Sequence, residues 1–138
     1  MKYLAIDFGE KRTGIAVSDS GGSMAFARRT IHKGSKDTFW VELLRIIEEE
    51  RAEALVVGMP KTRDGEEILI IRQIHNFVTS LKRRCVLPVY MMEETLSSFD
   101  AEIKLRETKK NRAGLDGAAA AGILESFLNL PEAKRILT

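Results

Sequence analysis

Alternating apolar residues at the start of the chain predict a β-hairpin. Leu4 and Ile6 in the first run, and Ile15 and Val17 in the second, are separated by smaller residues, and a short polar connection joins the two runs. A repeat of two residues is typical of strands with one buried face. The segment from Ala25 to Ile31 predicts a third strand. The chain is therefore expected to begin with three antiparallel strands.

Two later segments have the apolar spacing of α-helices. Residues at i, i+3, i+4 and i+7 share one helical face, which is the face that packs against a sheet. The first segment has Ser35 or Asp37 as its cap, and its apolar positions are Trp40, Leu43, Leu44 and Ile47. The second carries Ile70, Ile74, Phe77, Val78 and Leu81. The place of Trp40 within its stripe favours core packing over the stacking of a nucleobase.

Continuous apolar runs predict two further strands, because a strand buried on both faces loses the alternating pattern. The run from Ala54 to Met59 predicts a central parallel strand ended by Pro60. The run from Val86 to Met92 predicts a fifth strand, closed by Glu93 and Glu94.

The remaining segments predict two helices and complete the order of elements. One helix is expected from Ser97 or Ser98 to about Glu107, and a last helix, apolar nearly all round, starts at Asp116 and should be buried. The order is βββαβαβαα. Three antiparallel strands followed by right-handed crossovers form an α/β fold, in which a five-stranded mixed sheet carries helices on both faces.

Length and composition are those of a single domain covering residues 1–138. Of these residues 44% are apolar and 30% are charged, which is typical of a globular protein. No apolar run is long enough to span a membrane, and the start lacks the features of a secretory signal, so we expect a cytoplasmic protein with no membrane partner. The single cysteine, Cys85, has no second cysteine for a disulfide or a zinc pair.

The net charge of +2 does not by itself indicate a nucleic-acid-binding protein, but the basic residues are unevenly distributed. They gather at Arg28 and Arg29, from Lys82 to Arg84, and most densely from Lys104 to Arg112. The bases from Lys82 to Arg84 suit the negative end of a helix dipole. For the densest group, a solvated helix end and loop is the commoner explanation, and a phosphate-binding surface is the alternative.

Acidic residues lie at the ends of three predicted elements: Asp7 after the first strand, Glu93 and Glu94 after the fifth, and Asp116 at the start of the last helix. If these ends meet at one sheet edge, the carboxylates repel each other unless a cation neutralises them, and such hard ligands suit Mg²⁺ or Mn²⁺. Adjacent strand residues point to opposite faces, so only one of the two glutamates should take part. The simpler alternatives are a turn aspartate at Asp7 and a helix cap at Asp116.

At these residues the chain resembles the YqgF family of Holliday junction resolvases, within the ribonuclease H-like superfamily, over nearly its whole length. The matching stretches are Asp7-Phe8-Gly9 with Lys11–Asp19, Val56–Pro60 with Asp64-Gly65, and Leu115–Ala119 with Ile123-Leu124. The resemblance implies a ribonuclease H-like fold and divalent-metal nuclease chemistry. It also implies a role either in resolving DNA four-way junctions or in trimming the 5′ end of precursor 16S ribosomal RNA.

From the carboxylates and the resemblance together we expect a metal-dependent endonuclease acting on branched DNA or precursor ribosomal RNA, as a monomer or a homodimer. The expected catalytic and metal-binding residues are Asp7, Glu94 and Asp116, with Glu93 as the alternative to Glu94. The residues expected to contact nucleic acid are Lys11, Arg12, Lys109, Lys110 and Arg112.

One stretch departs from the family pattern. The family usually has Asp-Glu-Arg-Leu where this chain has Glu93-Glu94-Thr95-Leu96. The first glutamate is longer than the aspartate that it replaces, and Thr95 cannot make the charged contact to phosphate that arginine makes. The sequence therefore predicts altered metal geometry, weaker binding of the nucleic-acid backbone and reduced or lost nuclease activity.

Two other functional classes fit parts of the pattern. Asp7 and Gly9 followed by Gly14 also resemble the phosphate loop of the sugar kinase, actin and chaperone ATPases, but 138 residues cannot supply the second domain that closes over the nucleotide. A non-catalytic nucleic-acid-binding module would use the basic residues and would not need the carboxylates.

Overall fold

The computed structural model describes residues 1–61, 68–95 and 117–138. These residues form six strands, which are β1 (Tyr3–Asp7), β2 (Arg12–Ser18), β3 (Ala25–His32), β4 (Ala54–Lys61), β5 (Val89–Thr95) and β6 (Ile136–Leu137). They also form three α-helices, which are α1 (Lys36–Glu49), α2 (Ile68–Arg84) and α3 (Ala118–Leu128), and a 3-10 turn at Glu132–Lys134. The helix expected from Ser97 or Ser98 to Glu107 lies outside the described residues.

All six strands belong to one mixed sheet, in the order β3-β2-β1-β4-β5-β6. The first three strands are antiparallel, whereas β4 runs parallel to both β1 and β5, as the sequence predicted. The predicted count of five strands is corrected by β6, which pairs antiparallel with Tyr90 and Met91 of β5. A strand of two exposed residues is too short to show a period in the sequence.

Strand β4 extends further than predicted, and β5 is shifted by three residues towards the C-terminus. β5 runs from Val89 to Thr95, so it includes both glutamates and excludes Val86, which is fully exposed. β4 continues past Pro60 to Lys61 and pairs with β5 up to Thr95. The described pairing of β4 with β1 ends at Val57. Pro60 therefore lies where β4 has a single described neighbour, and a proline can be accommodated in such an edge position.

Helices α1 and α2 cover one face of the sheet over a core of large side chains. The N-cap of α1 is Ser35, whose hydroxyl accepts a hydrogen bond from the Thr38 amide at 3.1 Å within a capping box. The core of this face includes Leu4, Ile6, Ile15, Val17, Leu55 and Val57 from the strands, and Ile74, Phe77, Val78 and Leu81 from α2. The stripe predicted for α2 is thus confirmed at these four helical positions.

The buried stripe of α1 is rotated relative to the prediction. Its buried residues are Phe39, Leu43, Ile46 and Ile47, while Trp40 and Leu44 are only partly buried. The reason is aromatic packing: the ring of Phe39 meets those of Phe8 and Phe77 edge-on, at centroid distances of 6.4 and 6.1 Å. This helix is turned by contacts with residues that are distant in the sequence.

Helix α3 covers the opposite face over a core of small strand residues. The strands contribute Tyr3, Ala5, Ala16, Ala54 and Val56, and the helix contributes Ala120, Ile123, Leu124 and Phe127. The approach is close: a Cβ added to Gly58 would lie 2.5 Å from Ile123 Cδ1. The prediction that the last helix is buried against the sheet is confirmed. None of the described helices is long and apolar enough to cross a membrane.

Candidate functional site

Asp7 is the last residue of β1 and is half-buried at the carboxyl edge of the sheet. It pairs with Gly14 of β2. Tyr3 and Ala5 belong to the core beneath α3, and side chains alternate along a strand, so Asp7 lies on the α3 face. The prediction of a carboxylate at the end of the first strand is confirmed.

The start of α3 lies beside Asp7, across the space that Gly14 leaves open. A Cβ added to Gly14 would lie 3.7 Å from Asp7 Cβ, 3.6 Å from Gly117 Cα and 3.7 Å from Ala120 Cβ. These are ordinary van der Waals distances around a single position. The carboxylate strand and the N-terminal end of the buried helix therefore converge at Gly14.

Gly117 fixes how closely α3 approaches. Its φ of +84° is a left-handed conformation that favours glycine, and a Cβ there would lie 2.3 Å from the Ile15 carbonyl oxygen. Gly117 is the N-cap of α3, without a side-chain capping bond. The helix thus begins directly on the backbone of β2, which any larger residue would push away.

The two glutamates lie at the same edge of the sheet, on a strand that is not adjacent to β1. The backbone of Glu93 pairs with Met59 and that of Glu94 with Pro60. Because β4 lies between β1 and β5, two strand spacings, about 10 Å, separate the Asp7 backbone from theirs in the plane of the sheet. The Glu93 side chain is exposed. For Glu94 only the backbone is described, and Asp116 lies outside the described residues.

The predicted nucleic-acid contacts are described only in part. Lys11 and Arg12 are exposed at the connection between β1 and β2, and Arg12 pairs with His32. The Lys11 carbonyl accepts a hydrogen bond from the Lys33 amide at 3.0 Å. The other three predicted contacts, Lys109, Lys110 and Arg112, lie outside the described residues.

Of the three predicted metal ligands, the structure describes only the Asp7 side chain. Residues 1–61, 68–95 and 117–138 contain no group of three His, Cys, Asp or Glu side chains that could hold an ion. Two of the three predicted ligands, the Glu94 side chain and Asp116, are not among the described groups. Asp7 offers a hard oxygen donor of the kind that Mg²⁺ and Mn²⁺ prefer.

Sequence reasoning missed Phe8 and Lys33 as parts of this edge. Phe8 follows Asp7 directly, and its ring lies under the Lys33 ammonium, with Nζ 5.2 Å from the ring centroid. The adjacency of Phe8 to Asp7 was the available signal, but Lys33 is separated from them by two strands. Trp40 packs against Phe77, consistent with its predicted packing role.

A family model and close relatives of this chain agree with each other. A family model described as "RuvX: Holliday junction resolvase" matches residues 1–130. A protein of Nitratidesulfovibrio vulgaris (strain DSM 19637 / Miyazaki F), named "Putative pre-16S rRNA nuclease", is 58% identical, with 98% of each chain covered. A protein of Lawsonia intracellularis with the same name is 45% identical, with 99% of each chain covered.

Solved structures share the fold at low sequence identity. RuvC of Thermus thermophilus has a TM-score of 0.63 at 14% identity, with 100% of each chain covered. RuvC of the same organism in complex with a Holliday junction substrate has a TM-score of 0.64 at 15% identity, with 100% of this chain and 99% of RuvC covered. Identities this low establish a common ribonuclease H-like fold and nothing further. The family match and the close relatives show that this chain belongs to the RuvX Holliday junction resolvase family.

Proposed function

We propose that this protein is a divalent-metal-dependent nuclease that hydrolyses phosphodiester bonds of structured nucleic acid. The substrate is a branched DNA or the 5′ region of precursor 16S ribosomal RNA. The observation that carries the proposal is the convergence of Asp7 with the start of α3 around Gly14. The family match and the names of the close relatives support the same class of reaction.

Asp7, Glu94 and Asp116 are the proposed catalytic ligands. Asp116 immediately precedes Gly117, whose Cα borders the same space as Asp7 Cβ. Strand alternation favours Glu94 over Glu93: Met92 belongs to the core beneath α3, and position 94 has the same parity. Glu93 has the parity of Met91, which packs on the other face.

The donor set suits Mg²⁺ or Mn²⁺, because carboxylate oxygens are the ligands that both ions prefer. When bound, such ions supply an activated water and stabilise the leaving oxygen of the phosphodiester. The protein contributes a carboxylate held at the end of a central strand, whose backbone pairs with β2 through Asp7 and with β4 through Ile6. Lys11 and Arg12, together with Lys109, Lys110 and Arg112, are the proposed contacts to backbone phosphates.

Cleavage assays on two substrates test the proposal. A four-way DNA junction and a precursor 16S ribosomal RNA fragment are incubated side by side with Mg²⁺ and with Mn²⁺. We expect cleavage that depends on the metal ion, and Asp7→Asn should lower its rate by more than about 100-fold. Loss of a residue that only hydrogen-bonds to a metal ligand costs about 10- to 100-fold, so a larger loss indicates a ligand. The melting temperature should change little, because the substitution keeps the shape of the side chain.

Asp19→Asn is the matched control, since it makes the same chemical change at the opposite end of the hairpin. It should cleave at the wild-type rate. Retained turnover in purified Asp7→Asn would refute the assignment of Asp7.

A second candidate, a nucleic-acid-binding module without cleavage, is favoured by the altered motif. Thr95 stands where the family usually has an arginine, so one charged phosphate contact is missing. This candidate predicts binding that survives Asp7→Asn, together with no cleavage by the wild type in either metal. The same assays, combined with a binding measurement, therefore separate the two functions.

A further inference from the structure

An aromatic column lies on the face of the sheet opposite to Asp7. The ring of Phe8 stacks on Phe77, with centroids 4.5 Å apart and planes inclined by 19°. Phe77 in turn stacks on Trp40, at 5.5 Å and 18°. Because Phe77 is buried and the other two rings are half-buried, Phe77 forms the centre of the column and the others form its ends.

One cation covers each end of the column. Lys33 Nζ lies 5.2 Å from the centroid of Phe8, and the Arg84 guanidinium carbon lies 4.3 Å from that of the ring at the other end. Since Phe77 occupies one face of Phe8, the ammonium covers the opposite, outer face. Arg84 also donates a hydrogen bond to the Ser80 carbonyl at 3.1 Å. Lys33 is exposed and belongs to none of the ion pairs formed among the described residues.

Phe8 follows Asp7 directly in the chain, but its ring packs against the core beneath α1 and α2, whereas strand alternation places Asp7 on the α3 face. A nucleic-acid strand that contacts both residues therefore passes around the end of β1. The bond from the Lys33 amide to the Lys11 carbonyl ties Lys33 to the same edge, beside the exposed side chains of Lys11 and Arg12.

We propose that the outer face of Phe8 is a stacking platform for one unpaired nucleobase, and that Lys33 leaves this face on binding to contact the adjoining phosphate. The proposal rests on the proposed nuclease function, because it specifies how the nucleic-acid substrate is held at the end of β1. Stacking of a base on an aromatic ring is stronger than the contact of an ammonium with an exposed ring, so a base can displace Lys33. Proteins that hold single strands commonly combine such a ring with a basic track.

The platform selects for unpaired nucleotides. A base inside a duplex has both faces covered by its neighbours, so only a base at a branch point, an end or a single-stranded extension can present a face to Phe8. Every base has such a face, and stacking reads no base edge, so the platform has little sequence preference. Unpaired DNA and unpaired RNA share this chemistry, and both serve as probes.

Binding of fluorescent oligonucleotides in metal-free buffer tests the platform without requiring cleavage. The probes are a DNA single strand, an RNA single strand of the same sequence and a blunt DNA duplex. Phe8→Leu should weaken single-strand binding by about ten-fold and leave the salt dependence unchanged, because it removes stacking and no charge. Duplex binding should stay the same. Phe8→Tyr keeps the aromatic ring and should bind like the wild type.

Lys33→Ala tests the phosphate contact separately. It should reduce the magnitude of the salt slope for single strands by about 0.7, the value for one phosphate. Arg84→Ala is the matched control, because it removes the cation at the other end of the same column, and its slope should equal that of the wild type. Equal salt slopes for Lys33→Ala and Arg84→Ala would overturn the role of Lys33. This comparison does not use Phe8→Leu, so it still tests the proposal if that variant fails to fold.

Equal single-strand affinities of folded Phe8→Leu and wild type would overturn the platform. An equal loss on the single strand and the duplex would also overturn it, because that pattern indicates a structural role for the ring. A loss confined to DNA or to RNA would support the platform and identify the substrate. Failure of the proposed nuclease function is a distinct result: single-strand binding that depends on Phe8, with no metal-dependent cleavage, would refute the nuclease and leave the platform standing.

Discussion

The two faces of the sheet are packed by side chains of different size. Leu4 and Ala5 are neighbours in β1 and both are fully buried, yet Leu4 belongs to the core beneath α1 and α2 whereas Ala5 belongs to the core beneath α3. The first core consists mainly of large aliphatic and aromatic residues, and most strand residues of the second are alanines. Small residues let a helix backbone approach the sheet, and large residues hold it at a distance.

This difference separates the two roles that we propose for neighbouring residues. On the α3 side, the close approach of the helix to the sheet brings Gly117 next to Asp7 at the end of β1. On the other side, the aromatic column that ends in Phe8 lies among larger side chains. The position of Asp7 therefore depends on close backbone contact, whereas that of the half-buried Phe8 ring depends on side-chain stacking.

Among substitutions on the α3 face, Gly117→Ala should lower the free energy of unfolding most. The left-handed φ costs a non-glycine residue about 1 to 2 kcal/mol, and overpacking against the Ile15 carbonyl adds about 1 to 3 kcal/mol. We expect the free energy of unfolding, measured by urea titration, to fall by about 3 kcal/mol or more. Gly122→Ala is the control in the same helix: nothing lies within 4 Å of an added Cβ, so it should stabilise by about 0.5 to 1 kcal/mol. Similar effects of the two substitutions would contradict the close packing.

Substitutions of Leu4 and Ala5 compare the faces directly. Leu4→Ala leaves a cavity and should cost about 2 to 5 kcal/mol of unfolding free energy, whereas Ala5→Val overpacks the α3 face and should cost about 1 to 3 kcal/mol. Only Ala5→Val should lower the cleavage rate per folded molecule, because it displaces α3 from Asp7. Rates are measured at a temperature at which both variants are folded. A greater loss of cleavage in Leu4→Ala would mean that the α1 and α2 face controls the site.

Thr13→Val should have a smaller effect on stability, and it should stabilise the protein. Thr13 is 1% exposed, and its hydroxyl has no hydrogen-bond partner among the described residues. It has the strand parity of Ile15, so it lies on the face of large residues. A buried hydroxyl without a partner costs free energy, so valine, which has the same shape, should raise the unfolding free energy by about 1 kcal/mol. A loss of stability would instead indicate that the hydroxyl has a partner.

The smallest effect is expected at the end of the hairpin away from Asp7. The Met24 amide donates a hydrogen bond to the Asp19 carboxylate, and the hydroxyl and the amide of Ser23 donate two more. These hydrogen bonds, that of Met24 most strongly, lower the pKa of Asp19 to about 2. Because the folded pKa lies below the unfolded one, this stabilisation is complete above about pH 4 and is lost as the pH falls towards 2.

Urea midpoints of wild type and Asp19→Asn, measured from pH 7 down to pH 2.5, should therefore converge as the pH falls below 4. The wild type should be the more stable protein at neutral pH, by a small margin, because Asp19 lies at the protein surface, where solvent screens its interactions. A constant difference across this range would contradict the lowered pKa. The same variant is the activity control for Asp7→Asn.

Much of the fold could be predicted because its elements are encoded locally. The period of two in the hairpin, the continuous apolar run of β4 and the Ser35 cap of α1 each arise from residues within a few positions of one another. Asp7 was located at its strand end for the same reason. The family resemblance rested on stretches of this kind, and the family comparison confirmed it.

Other features were decided only when distant segments packed together. The burial of Phe39 in place of Trp40 depends on the ring of Phe8, which follows β1, and on that of Phe77 in α2. The extension of β5 through both glutamates depends on its pairing with β4. The convergence of Asp7 with Gly117 joins residues that are far apart in the sequence, and both border the position that a Cβ on Gly14 would occupy. Local patterns fix which residues face a core, but the distance between two packed layers depends on the side chains of both. For this reason the sequence alone determined the carboxylate at the strand end, and only the tertiary structure determined its neighbours.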